Sequence, residues 1–312
     1  MLIAVGVDDN AEAFDAMVLA TTIARVTAAE MILATVYPDL PEPLLRKIGR
    51  DRTQAEALLR KLNAFMAPEA RAVVESDWSV PHALAGMVSR EHPDLLVLGS
   101  SRHAPPRRVR IGMHTRQLLG EVKCSLAVAP RGLSPDGQNR LRVIAAGYDG
   151  TPESEHAIRQ AGALARAAHA RLRVRAVVDD RLPYVGWTPV RPYVQGMWDE
   201  VVAPEIEPLR QAAQRQASAT GAEFIVEVGY GAPVDELIAL SGEVDLLVIG
   251  SRRWGPAVRV LLGSTGEELM HKAGCSVMAV PRPAESVHGR SELDRHERRR
   301  NDDAALLSPR RE

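Results

Sequence analysis

A loop in each half of the chain has the residue types that hold anionic ligands. In the second half, it begins at Gly250 after an apolar stretch and ends at Gly263, where a helix is predicted to start. Glycine lets a ligand approach the backbone closely, and free amides at a helix start bind phosphate. Residues 264–267 also read Ser-x-x-Glu, a capping box that needs no ligand. The sequence leaves both interpretations open, a phosphate site or a self-capped helix.

An aspartate follows the first predicted strand of each half. These residues are Asp8 in Val7-Asp8 and Asp149 in Tyr148-Asp149. In open α/β sheets, ligands bind beyond the carboxyl ends of the strands, so both positions are candidates for ligand contacts. A carboxylate there can accept a hydrogen bond from a ribose hydroxyl or a base, but it can equally help to cap the next helix. Position alone does not decide between the two roles.

The two halves are copies of one unit. An offset of 151 residues brings 94–100 onto 245–251, both of the form Asp-Leu-Leu-Val-x-Gly-Ser, and Cys124 onto Cys275. Near the start of each copy the offset is 141, so the second copy has gained ten residues after its second strand. Units of this length are domains rather than solenoid repeats. We predict domain 1 at residues 1–131, domain 2 at 140–283, and a charged, mostly disordered tail at 284–312.

Short apolar runs in the second copy alternate with helical patterns. The predicted strands are residues 141–146, 172–178, 224–228, 246–249 and 277–280. Apolar residues recur at helical spacing from Ala157 to Ala168, after a cap and first turn at Thr151-Pro152. In the first copy, the same spacing gives a second helix an apolar side of Leu58, Leu59, Leu62 and Phe65. Strands that are apolar throughout, between amphipathic helices, predict an α/β fold with a parallel sheet covered on both faces.

Composition excludes several classes of protein. In 312 residues, 39 basic and 40 acidic side chains nearly balance, which does not fit a general nucleic-acid binder. Two cysteines cannot build a disulfide framework, and Asp8 comes too early for a signal peptide. No apolar run approaches the about 18 residues that cross a bilayer. We expect a cytoplasmic protein without a membrane or specific nucleic-acid partner, and we expect Cys124 and Cys275 to be small core residues.

The order of these features resembles the universal stress protein family. It comprises the aspartate after strand one, the strand ending in Gly-Ser, the glycine loop before a helix, and a closing Cys-Ser strand that ends in proline. The family's nucleotide motif is Gly, two residues, Gly, nine residues, Gly, then Ser or Thr. The resemblance covers nearly all of both copies. It implies, in each domain, a doubly wound five-stranded parallel sheet of order 3-2-1-4-5, dimers or tandem pseudo-dimers, and bound ATP in many members.

Carried over to domain 2, the resemblance implies a nucleotide site. Asp149 would lie near the adenosine, the Val177 backbone would meet the adenine, and the phosphates would lie against Gly250, Gly263, Ser264 and Thr265. Arg253 stands where the motif has its second glycine. An arginine there can grip a phosphate with two hydrogen bonds, or its bulk can close the site. The implied ligand is ATP, with Mg²⁺ as a companion of the triphosphate.

Domain 1 departs further from the family motif. The corresponding residues, which form a weaker candidate site, are Asp8, Gly99, Arg102 and Gly112. Met113 follows Gly112 and brings no hydroxyl, although His114 and Thr115 come next and offer a substitute. The loop also carries five basic residues, Arg102, His103, Arg107, Arg108 and Arg110. These residues form either a solvated basic loop or a contact patch for the other domain.

The ten extra residues of domain 2 fall in residues 179–198, which hold Tyr184, Trp187, Tyr193 and Trp198. Long loops of this kind are often lids or contact surfaces. We hypothesise that this one covers the site of domain 2 or the domain interface.

The sequence as a whole predicts a stress-response regulator that binds an adenine nucleotide mainly in domain 2. Binding would order the loop from Gly250 to Gly263 and expose or hide a surface for an unidentified protein partner. The two domains would form an intrachain pseudo-dimer, and two chains could form a homodimer. The sequence has no P-loop and no nucleophile elbow, so we expect no enzyme. The alternatives are a nucleotide-free dimerisation module and, third, a slow ATP-hydrolysing or adenylating enzyme.

Overall fold

A computed structural model describes residues 1–41, 43–45, 51–133, 140–178, 203–251, 260 and 262–282. The elements of domain 1 are β1 (Leu2–Gly6), α1 (Ala11–Thr27), β2 (Glu30–Tyr37), α2 (Arg52–Met66), β3 (Arg71–Ser76), α3 (Val80–Glu91), β4 (Leu95–Gly99), α4 (Met113–Leu118) and β5 (Ser125–Ala129). Those of domain 2 are β6 (Val143–Tyr148), α5 (Pro152–Ala168), β7 (Arg171–Val178), α6 (Ala203–Ser218), β8 (Phe224–Tyr230), α7 (Pro233–Ser241), β9 (Leu246–Gly250), α8 (Ser264–Lys272) and β10 (Ser276–Val280).

The strands of both domains form one ten-stranded sheet. Its order is β3-β2-β1-β4-β5-β10-β9-β6-β7-β8, so each domain has the predicted order 3-2-1-4-5. Pairing is parallel within each domain, and the α/β prediction is confirmed. The two predicted sheets are joined by an antiparallel pair, β5 with β10, in which Ala127 lies opposite Met278. Since 127 and 278 differ by the repeat offset of 151, a pseudo-twofold axis passes between these two residues.

Side chains cap the starts of three helices that border the site regions, and the cap at Thr151 was predicted from the sequence. Thr151 is the N-cap of α5 and accepts a hydrogen bond from the Ser154 amide at 3.2 Å, with proline in the first turn. Asn10 caps α1 by accepting from the Ala13 amide at 2.8 Å. Ser79 caps α3. The predicted apolar face of α5, from Ala157 to Ala165, is buried against the sheet.

Two sequence expectations about packing are wrong. Phe65 is 76% exposed, whereas Leu59 and Leu62 are buried. Phe65 lies six residues after Leu59, about 120° around the helix, and so leaves the packed side. The second exception is β7, which is not apolar on both faces.

Arginines occupy the face of β7 that is turned toward α7. Arg173 pairs with Glu227 at 2.9 Å and with Glu243 at 2.8 Å, and Arg175 pairs with Glu236 at 3.2 Å. Charged side chains are tolerated on this partly covered face because each arginine has carboxylate partners. The opposite face of the strand remains apolar.

Both cysteines are buried free thiols whose pKa is raised to about 12 by burial. No helix in the described parts of the chain is long and apolar enough to cross a membrane. The linker residues 134–139, the aromatic segment 179–198, the loop 252–259 with Arg253, and the tail 284–312 lie outside the described residues.

Candidate functional site

A cavity of about 490 Å³, here called cavity 2, opens at the carboxyl ends of β6, β7 and β9 in domain 2. Its lining brings together residues from separate parts of the chain: Gly147, Tyr148, Asp149, Thr151, Glu153, Ser154, Val177, Pro233, Leu237, Ile249, Gly250, Ser251, Gly263, Ser264, Thr265, Gly266 and Leu269. Six of the seven residues predicted for this site are among them. The seventh, Arg253, lies outside the described residues.

The start of α8 forms one wall of cavity 2. Its N-cap is Gly263, which makes no side-chain cap hydrogen bond, and Ser264 is already the first helical residue. The capping-box interpretation of residues 264–267 is therefore wrong, because the helix begins at Ser264, one residue earlier than that pattern requires. Gly263 has φ −83° and ψ −179°, extended backbone that any residue adopts. The glycine is not required by the local conformation, and the first-turn amides lack a side-chain cap.

Asp149 lies at the carboxyl end of β6 and is held by the N-cap of α5. Its Oδ1 accepts hydrogen bonds from the Thr151 amide at 3.1 Å and the Thr151 hydroxyl at 2.6 Å. The aspartate thus supports the cap indirectly, while its carboxylate lines the cavity. Both roles that the sequence left open are geometrically compatible in one side chain.

Gly250 ends β9 in close contact with the first turn of α5. A Cβ on Gly250 would lie 2.6 Å from the Glu153 carbonyl oxygen, so the fold itself requires glycine here. The Glu153 side chain is 2% exposed, and its Oε1 lies 3.5 Å from Nε of Arg282, which is 8% exposed. Arg282 follows β10 and Glu153 lies in the first turn of α5, so this buried ion pair connects the two elements beside the cavity.

The remaining wall of cavity 2 is apolar. Val177 from β7, Ile249 from β9, and Pro233 and Leu237 from α7 contribute to it. Tyr148 also lines the cavity, and burial, followed by the nearby charges of Glu155 and Asp149, raises the pKa of its phenol. Sequence reasoning missed α7 and the Glu153–Arg282 pair. The pair was detectable in principle, because the repeat offsets map it onto Glu12 and Arg131.

The corresponding cavity in domain 1, cavity 1, measures about 220 Å³. Asp8 and Gly99 line it, as predicted, but Arg102 and Gly112 do not belong to its lining. His114 and Thr115 enter the lining instead, and Met113 is 70% exposed. The histidine and threonine side chains thus stand where domain 2 has Thr265 and Gly266.

The geometry of cavity 2 combines an apolar wall, a carboxylate, and an uncapped helix start. Such a site is suited to a ligand that has a flat apolar part, hydroxyl groups and an anionic end. Among the described residues, no group of three or more His, Cys, Asp or Glu side chains is arranged to hold a metal ion.

Comparisons with known proteins agree with this architecture. A universal stress protein of Methanocaldococcus jannaschii is 28% identical over 153 residues, which are 47% of this chain and 86% of that protein. The crystal structure of a universal stress protein from Archaeoglobus fulgidus superposes with a TM-score of 0.63 at 17% identity, covering 90% of this chain and 98% of that chain. A putative universal stress protein from Pseudomonas aeruginosa gives a TM-score of 0.62 at 18% identity, covering 94% and 96%.

These structural likenesses show the fold alone. The family model supplies the stronger statement, because it matches the chain twice, over residues 1–130 and 140–281. With both halves of the chain matched, this tandem two-domain protein belongs to the universal stress protein family.

Proposed function

We propose that this protein binds an adenine nucleotide, ATP, in cavity 2 and that binding regulates an interaction with another protein. One observation carries the proposal. Six residues that the family motif assigns to the nucleotide, drawn from β6, β7, β9 and α8, line a single cavity at the point where the strand order reverses.

The base and the ribose would occupy the end of cavity 2 near β6 and β7. Val177, Pro233 and Leu237 offer apolar contacts for the flat face of adenine, and the Val177 backbone offers hydrogen-bonding groups to its edge. The carboxylate of Asp149 accepts hydrogen bonds, so it suits the hydroxyls of ribose. These contacts distinguish a nucleotide from inorganic phosphate alone.

The phosphates would lie against Gly263, Ser264 and Thr265 at the start of α8. Amides of the first helical turn donate to anions, and the positive end of the helix dipole favours negative charge. The sequence places Arg253 in the preceding loop, and we assign it a bidentate grip on a phosphate. Mg²⁺ would arrive as a companion of the triphosphate.

We propose a binding role rather than rapid turnover for cavity 2. Binding stabilises whichever conformation holds the nucleotide better, and the surface of that conformation becomes available to a partner. A cytoplasmic location, the existence of a protein partner and the assembly of two chains into a homodimer remain predictions from the sequence.

The proposal is tested by Gly263→Val. Valine adopts the observed backbone without strain, so the fold should be kept, but its side chain would stand where the phosphates must approach. Losing two hydrogen bonds to a charged group, each about 1.5–3 kcal/mol, weakens binding at least about a hundredfold. Calorimetric titration of nucleotide-free protein with ATP measures the change, and nucleotide released on denaturation identifies the natural ligand.

The matched control is Gly112→Val. Gly112 has the same place before α4, with φ −84° and ψ 178°, and a Cβ there meets no atom closer than 3.9 Å. ATP affinity should be unchanged in this variant. Unchanged affinity in Gly263→Val, with both variants folded, would refute the assignment of cavity 2.

A further inference from the structure

Helix α8, which presents the proposed phosphate site, is attached to domain 1 at its carboxyl end. The amide of Val109 donates to the Ala273 carbonyl at 2.9 Å, and the amide of Ile111 donates to the Met270 carbonyl at 2.9 Å. Arg108 Nη1 donates to the Lys272 carbonyl, also at 2.9 Å. Three residues of the domain 1 loop thus bind the carbonyls at the carboxyl end of a domain 2 helix.

Domain 1 also contacts Val260, which precedes the amino end of α8. The amide of Gly120, just after α4, donates to the carbonyl of Val260 at 2.7 Å. Val260 is fully buried and precedes the N-cap Gly263 by three residues. Side chains of both domains share one core here: Val109, Ile111 and Leu118 of domain 1 with Val260, Leu269 and Met270 of domain 2.

The position of Arg108 explains how a surface arginine stabilises this arrangement. The last carbonyls of a helix have no partner within the helix, and a cation near them also interacts favourably with the helix dipole. Gly274 leaves room for the guanidinium, since even a Cβ on Gly274 would lie 3.6 Å from Arg108 Nη1. The basic loop is thus, in part, a contact patch for the other domain.

We infer that domain 1 positions the phosphate end of cavity 2, with Arg108 as a positioning residue that touches no nucleotide; this inference rests on the proposed function. Helix α8 has nine residues, about 13 Å, so a shift at its last turn is transmitted to Gly263 and Ser264. Leu269, in the middle of α8, also connects domain 1 to cavity 2, because its side chain lies in the core shared by both domains and lines the cavity.

The polar contacts at the adenosine end of cavity 2 lie apart from this link. Asp149 follows β6 and Val177 lies in β7, on the side of domain 2 away from β5 and the junction. Leu237 of α7 is the nearer connection, because it shares a core with Leu269. Loosening α8 should therefore weaken the contacts to phosphate more than the contacts to base and ribose. This difference separates positioning from a general loss of stability.

The test compares ATP with adenosine in the full chain carrying Arg108→Ala. Calorimetry should show ATP bound about five- to tenfold more weakly, the size expected for losing a well-placed hydrogen bond, with adenosine affinity changed less than about twofold. Arg107→Ala is the matched control, because Arg107 is exposed and its backbone amide, which alanine keeps, donates to the Arg131 carbonyl at 2.8 Å. Arg108→Lys should fall between wild type and Arg108→Ala.

Several outcomes would overturn the inference. Unchanged ATP affinity in Arg108→Ala, while the wild type binds ATP and Gly263→Val does not, would refute positioning and leave the proposed function standing. Equal weakening of ATP and adenosine would mean a merely structural role. Absence of ATP binding by the wild type would instead refute the proposed function itself.

Discussion

The two domains build their cavities on nearly the same backbone yet differ in what can enter. The N-caps before α4 and α8 are both glycines with the same extended conformation, and both lack a side-chain cap. Cavity 1 nevertheless measures about 220 Å³ against about 490 Å³ for cavity 2. The side chains at the helix start differ, since His114 and Thr115 enter cavity 1 where domain 2 has Thr265 and Gly266. Under the proposed function, we expect these side chains, rather than the shared backbone, to decide which domain binds the nucleotide.

The comparison also separates the glycines of the nucleotide motif by function. At Gly99 a Cβ would lie 2.2 Å from the Glu12 carbonyl oxygen, and at Gly250 it would lie 2.6 Å from that of Glu153. These strand-end glycines are needed by the fold in both domains. At Gly112 there is space for a side chain, so the fold does not require glycine at the start of the helix. At this position, glycine would be required only by a ligand that approaches the backbone.

The largest effect should come from Arg282→Ala. Arg282 and Glu153 are almost fully buried, so removing the arginine leaves a buried carboxylate without this cation and should cost about 3–5 kcal/mol. In the equivalent pair of domain 1, Arg131 Nε lies 3.6 Å from Glu12 Oε1. The side chains of this pair are more exposed, 44% for Arg131 and 11% for Glu12. Arg131→Ala should cost about 0–1 kcal/mol. Denaturant unfolding measures both, and equal costs would contradict the difference in burial.

A smaller and more symmetric effect is expected for Gly99→Ala and Gly250→Ala. Each added methyl group meets a backbone carbonyl, which can move only with its helix, so overpacking should cost about 1–3 kcal/mol in either domain. Thermal unfolding measures the loss. If only one of the two variants had wild-type stability, the glycine at that position would not be required by the fold. A ligand would then be the better explanation for it.

The smallest effect concerns protonation at the domain junction. Where domain 2 has His271, the repeat places Gly120 in domain 1. Partial burial, then the charges of Arg116 and Arg110, lower the pKa of His271, whose Nε2 lies 3.4 Å from Arg116 Nη2. We expect Arg116→Gln to raise this pKa, measured by NMR titration of the imidazole.

The same shift predicts the pH dependence of stability. A histidine whose folded-state pKa is below its unfolded value binds fewer protons in the folded chain, so its contribution is lost as pH falls below about 6.5. His271→Gln should remove this part of the dependence. An unchanged profile in that variant would exclude His271 as its source.

Much of the fold and most of the site could be predicted because they depend on local pattern. The repeat, the helix face of α5 and the cap at Thr151 are visible in short stretches of sequence. The glycine loop and the aspartate after strand one were placed by the family motif. The bounds of the five strands of domain 2 were predicted to within about two residues, since apolar runs between turns mark them clearly.

The remainder depends on contacts that a single sequence does not display. The sequence left the capping box open as one of two interpretations, because Gly263 and Ser264 are both acceptable N-caps and only the packed helix decides between them. The sequence pattern treated residues 172–178 as apolar throughout, and it did not reveal that Arg173 and Arg175 pair with glutamates distant in sequence. The junction of β5 with β10 and the bond from Arg108 to α8 join residues 149 to 164 positions apart, and no local signal marks them.

The most direct test of the account is the number of ATP molecules bound per chain. Nucleotide-free protein titrated with ATP by calorimetry should show one site, lost in Gly263→Val and kept in Gly112→Val. Two sites in the wild type, or one that survives Gly263→Val and disappears in Gly112→Val, would contradict the assignment of binding to domain 2. Absence of any binding at millimolar ATP would favour the nucleotide-free module.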